Sequence, residues 1–212
     1  MNRILLTLAL LSLLLLAAAL VVGLSIGDLY HDPTQATLHS ATVHRLTGMA
    51  AALGVVFVES VIATYFIGTS RWCKEVSDTY GLDRAPVRTS NRLKRRAFAW
   101  SLLGMLVIVG VISLGAAADP ATGRPNTQFW TDYHLAGAIG GLAFVAWTYF
   151  AAWNLICANQ QVIAVIASEV ARIRRERGLD DGAAALNKPL EMANSPLENA
   201  KTDLSGRGKS VP

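Results

Sequence analysis

The chain has 212 residues, 52% of them hydrophobic and 16% charged, with a formal net charge of +4. That charged fraction falls well short of the roughly 25% of an ordinary water-soluble domain, and four apolar runs reach the ~20 residues that cross a bilayer. Together these exclude a soluble globular chain, and the two cysteines, Cys73 and Cys157, exclude a disulfide framework.

The runs cover 4–26, 44–68, 97–118 and 134–157. They predict an all-α bundle of four transmembrane helices, a single membrane domain over 1–178 with little chain left outside it. The basic residues are sorted by side. Arg71, Lys74, Arg84, Arg88, Arg92, Lys94, Arg95 and Arg96 fall between the second and third runs, and Arg172, Arg174, Arg175 and Arg177 follow the fourth. Connections 27–43 and 119–133 hold Arg124 alone. By the positive-inside rule, both termini and the 69–96 connection are expected in the cytoplasm, as in a bacterial inner-membrane protein. The positive charge therefore answers to the lipid bilayer and not to nucleic acid.

In chain order, the first run follows Met1-Asn2-Arg3. Its apolar core exceeds the about 7–15 residues of a secretory signal, so it is expected to be retained as a helix. The connection after it gathers Asp28, His31, Asp32 and His39; Asp32-Pro33 signals a turn, and Thr42 is placed to cap the second helix. That helix is expected to continue past Gly68 to about Gly81, with Pro86 in the loop proper and 91–96 at the anionic inner leaflet. The third run carries no ionisable group. The next connection ends in Phe129, Trp130 and Tyr133, residues suited to the membrane interface.

From 142 to 177 there is neither glycine nor proline, so the fourth helix is expected to extend into the cytoplasm over 158–177. Ile156, Asn159, Ile163, Ile166, Val170 and Ile173 recur at threes and fours, the spacing of a helix–helix seam. Trp72, Cys73, Val76 and Tyr80 offer a similar face on the extension of the second helix. The seam suits internal pairing of the two extensions, a surface helix, or another subunit. The tail from 179 to 212 is small and polar, and is expected to be disordered.

His44 and His134 are the first candidate site residues. Each opens a span at its outer end, so both stand at similar depth, and two imidazoles on neighbouring helices can supply both axial ligands of a haem b. Arg45 is placed to meet a propionate. Gly48 and Gly54, and Gly137, Gly140 and Gly141, offer bare backbone to a flat macrocycle. The alternatives are half-hydrated interfacial histidines, and a Gly137–Gly141 pair that serves plain helix packing. Glu59 is the second candidate, because a carboxyl inside a span costs about 2.5–3.5 kcal/mol and must face protein or water. It lies about 22 Å along the helix from His44, and the same count from His134 reaches Tyr149, beside Thr148; Ser12 falls at that depth on the first helix. A hydrogen-bonded neutral acid and a proton or quinone contact both fit. Asp28, His31, Asp32, His39 and Asp132 lack any fixed metal-ligand spacing, and no phosphate-binding, hydrolase or zinc-protease motif occurs.

With His44-Arg45 at the mouth of the second span and His134 at the mouth of the fourth, the chain resembles one half of the haem A synthase family, whose paired histidines bind haem. That family duplicates the unit, and its catalytic half carries a glutamate shortly before the second-helix histidine, where this chain has Ser40, Ala41, Thr42 and Val43. The run His44-Arg45-Leu46-Thr47-Gly48 is also similar to the His-Arg-x-Thr-Gly signature of the cytochrome b anchor subunits of succinate dehydrogenase. Those anchors have three spans and place the signature near a quinone site on the inner side. The resemblance implies a haem-b-binding bundle and names no enzyme. Two functions stand as expectations: a small electron-transferring haem-b membrane protein, or a non-catalytic accessory or scaffold subunit of a membrane complex.

Overall fold

The structure, a computed structural model, describes residues 2–179. Four helices carry nearly all of them: α1 (Asn2–Leu24), α2 (Gln35–Tyr80), α3 (Ala85–Ala118) and α4 (Thr131–Glu176). Each is long and apolar enough to cross a membrane, and no strand occurs among the described residues. Two short 3-10 turns, Pro120–Thr122 and Thr127–Trp130, fill the connection from α3 to α4.

The helix ends correct the sequence reading in two places. The cap of α2 is Thr34, whose side chain accepts from the Thr37 backbone N–H, and not Thr42, whose hydroxyl donates to the Leu38 carbonyl inside the helix. Nothing between Pro33 and the apolar run breaks a helix, so it starts as soon as a capping hydroxyl is available. Pro86, expected in a loop, sits in the first turn of α3. There its missing N–H costs no helical hydrogen bond. At the other end of α2, Gly81 takes a left-handed conformation (φ 66°) and its N–H returns to the Ser77 carbonyl, the usual way a helix stops.

The division into compact units falls within α4, one covering Met1–Ala164 and the other beginning at Val165. In the first unit the helices form a ring. Ser12 of α1 bonds Tyr149 of α4 at 3.0 Å, Ser70 of α2 donates to Asn91 of α3 at 2.8 Å, and Ser90 of α3 donates to Asn159 of α4 at 3.1 Å. The ring closes between α1 and α2, where His44 reaches the Ala19 carbonyl at 3.0 Å. Helices α2 and α4 are the parallel diagonal pair, in contact at Glu59–Thr148 and Thr69–Asn159.

The core is written in stripes at threes and fours. Buried positions include Leu5, Ala9, Ser12 and Ala19 on α1, and Val55, Ile62, Phe66 and Cys73 on α2. On α3 they include Ala97, Ser101, Gly104 and Ile108, and on α4 Val145, Thr148, Ala152 and Asn159. Many are small, which lets backbones approach closely. The opposite faces are apolar too: Leu14, Leu53, Phe57, Leu106, Ile139 and Phe150 are each more than half exposed.

Beyond Phe66 the buried face of α2 runs through Ser70, Cys73 and Ser77. Trp72, expected to share that face, is instead 39% exposed, because the three-and-four spacing from Ile62 and Phe66 passes one position to its side. The second unit is helical from Val165 to Glu176 and turns at Gly178 (φ 65°). Arg172 bridges Glu169 and Glu176 along it at 2.8 and 2.7 Å. The tail expected to be disordered lies, beyond Leu179, outside the described residues.

Candidate functional site

The two histidines come together. His44 stands in the first turns of α2, His134 in the first turn of α4, and their ring centroids are 6.0 Å apart with the planes crossed at 71°. Both are half-buried. The Nδ1–H of His44 donates to the Ala19 carbonyl of α1 at 3.0 Å. Nδ1 of His134 is buried and has no hydrogen-bond partner among the described residues. In His44, Nδ1 is thus committed to the backbone of a neighbouring helix, which leaves Nε2 as the nitrogen available to a ligand.

Two glycines that the sequence reading did not single out make room for these rings. A methyl group at Gly23 of α1 would stand 2.8 Å from Cε1 and 3.0 Å from Nδ1 of His44, and one at Gly115 of α3 would stand 2.9 Å from Cε1 of His134. The signal that points to them is depth: each lies near the end of its helix at the level where the next helix opens with its histidine.

The glycines expected around the histidines behave differently. Gly137 and Gly141 receive Leu114 and Val111 of α3, whose side chains would lie 2.8 and 2.7 Å from an added methyl. They pack α4 onto α3, as a small-xxx-small pair does. Gly48 has nothing within 4 Å of such a methyl. Arg45 forms a forked ion pair with Asp119, at 2.6 and 2.8 Å, joining α2 to the end of α3. Asp119 also accepts from the Ala121 N–H, and Tyr30 of the first connection donates to the Ala118 carbonyl at 2.6 Å. The histidine end of the bundle is therefore tied down by residues from two helices and a loop.

Fifteen residues along α2 from His44, Glu59 is 1% exposed. Its Oε1 accepts from Thr148 at 2.7 Å. A methyl on Gly104 of α3 would overlap that same oxygen. Oε2 and the nearby Ser101 hydroxyl are both buried, with no fully formed hydrogen bond between them. A neutral Glu59 donating to Ser101 would satisfy both. Tyr149 does not bond Glu59; its hydroxyl pairs with Ser12. A third polar layer lies further along, where Asn159 donates to Thr69 at 3.0 Å and to Tyr65 at 3.4 Å.

In the outer connections, Asp28 accepts from the backbone N–H groups of Tyr30 and His31. These bonds, that of His31 first, hold its carboxyl below the ordinary range. Among the described residues no three His, Cys, Asp or Glu side chains gather as metal ligands would, so the outer acidic and histidine residues form no such cluster. Cys73 is buried and Cys157 half-buried, and neither is in a disulfide. No family model, no curated protein and no solved structure matches the chain.

Proposed function

We propose that the chain is a small integral membrane protein that holds a b-type haem between His44 and His134 and carries electrons through it. The observation that carries this reading is the imidazole pair. An iron gripped by two imidazoles sets their centroids roughly 6 Å apart, from a metal–nitrogen bond of about 2 Å and about 1 Å more to each ring centre. The rings stand 6.0 Å apart. Nδ1 of His44 donates to a backbone carbonyl, the usual outer partner that orients a ligating histidine, and two glycines give the rings space. These donors fit the group.

Bound there, the haem supplies a one-electron iron couple; the polypeptide supplies everything that tunes it. His44, anchored on Ala19, and His134, over Gly115, would hold the iron. The Arg45–Asp119 pair fixes the mouth of α2 against the end of α3, and Arg45 would be the partner of a propionate. Glu59, in an apolar stretch of the bundle with Thr148 and Ser101, is the contact for a proton or a quinone. The resemblance to half of a haem A synthase rests on His44-Arg45 and His134.

Membrane insertion is supported by the apolar outer faces, which water would not favour, and by four helices of sufficient length. The sorting of Lys and Arg supports cytoplasmic ends, with the extensions of α2 and α4 on that side and the histidine layer near the outer surface. A second reading, a scaffold or accessory subunit that binds no cofactor, is favoured by one observation: crossed rings at this distance also describe an ordinary aromatic contact.

A reduced-minus-oxidised spectrum of the detergent-purified protein decides between them. The haem reading expects a b-type band that disappears in His44→Ala and in His134→Ala and persists in His39→Ala. A colourless wild-type protein, expressed with haem supplied, overturns it and leaves the scaffold.

A further inference from the structure

The surroundings of the two histidines repeat. On α1 the carbonyl that receives His44 belongs to Ala19, and the glycine under the ring is Gly23. On α3 the glycine under the His134 ring is Gly115, where an added methyl would stand 2.9 Å from Cε1. In both, a glycine of the preceding helix lies under the ring. In a helix the N–H of residue i+4 bonds the carbonyl of residue i, and the i+4 side chain leans back over that turn. On α1 a side chain at Gly23 would lean over the turn where His44 reaches the Ala19 carbonyl. Glycine leaves it open to an imidazole arriving from outside the helix.

We propose that Gly23 and Gly115 are positioning residues for the ligand pair: each leaves open the space that its imidazole occupies, and together they hold the imidazole planes at their crossed angle. The inference rests on the haem reading and adds what decides the ring planes. It also gives the bundle an internal pairing, α1 serving α2 as α3 serves α4. A methyl at either glycine meets the end of a side chain and not backbone, so the ring swings aside while the helices stay packed. The consequence is a turned ligand, not an unfolded protein.

The test is low-temperature EPR of the ferric, haem-loaded protein with a haem titration of the same samples. Crossed imidazoles on one low-spin iron give a strongly anisotropic spectrum with a dominant low-field feature, and parallel ones give a rhombic spectrum. The wild type is expected to show the first. Gly23→Ala and Gly115→Ala are each expected to become rhombic or partly high-spin and to bind haem about 10–100-fold more weakly, as when an outer partner of a ligand is lost. Gly68→Ala and Gly110→Ala, where a methyl meets nothing within 4 Å, are expected to match the wild type.

If the wild type binds haem and both glycine variants keep its spectrum and affinity, the inference falls and the haem reading stands. A wild type that binds no haem removes both. Should either variant fail to fold, the wild-type spectrum still decides, since a rhombic signal from parallel rings overturns the crossed pair.

Discussion

Glu59 shows most directly how single residues are balanced in this interior. One carboxyl oxygen, Oε1, receives the Thr148 hydroxyl in a space that only glycine at 104 leaves open, and the other, Oε2, lies buried near Ser101 without a hydrogen bond of its own. Gln keeps both an acceptor for Thr148 and a donor for Ser101, so Glu59→Gln is expected to leave thermal unfolding in detergent nearly unchanged. Thr148→Val removes the donor and keeps the shape, leaving a buried acceptor without a partner. That is expected to cost about 1–3 kcal/mol, read as a lower midpoint. Equal midpoints for Thr148→Val and wild type would mean the layer is solvated. The sequence pointed to the depth of this contact, because counting equal lengths from His44 and His134 reaches Glu59 and the 148–149 pair. It did not choose between Thr148 and Tyr149. Neighbouring residues on a helix point about 100° apart, and only the packed bundle shows which of the two meets α2 and which turns to Ser12.

At the scale of elements, the polar layer around Asn159 sets how α2, α3 and α4 align. Its amide donates to Thr69 and accepts from Ser90, so one side chain spans three helices. Sliding α4 by a turn would leave the amide and both hydroxyls buried and unpaired, each costing free energy in apolar surroundings. Asn159→Ala is expected to destabilise the bundle by about 2–3 kcal/mol. Adding Ser90→Ala to it should cost less than the two single changes together, because the hydroxyl has already lost its acceptor; strict additivity in a double-mutant cycle would show that the two do not interact. The sequence placed Asn159 in a seam as its one polar member. Of the two adjacent residues read onto the α2 face, Cys73 is buried and Trp72 is not, since a run of three-and-four spacings can be entered at either of two neighbours and only packing selects one.

For the whole molecule, the proposed orientation rests on where arginine and lysine are permitted. With Cys73 and Cys157 replaced by serine, Thr122→Cys is expected to react with a membrane-impermeant maleimide added to intact cells, and Thr89→Cys only after lysis. The reverse pattern would invert the chain and move the histidine layer to the cytoplasmic side. Four apolar runs, their lengths and the sorting of charge are properties of the sequence alone, because crossing an apolar layer demands composition and length before any packing is specified. The equal depth of His44 and His134 follows from the same count. Their approach to 6.0 Å, the commitment of Arg45 to Asp119, and the service of Gly23 and Gly115 beneath the rings arise only in the folded bundle. Those contacts join residues on different helices, and the rotation of each helix about its own axis is settled by how all four pack at once.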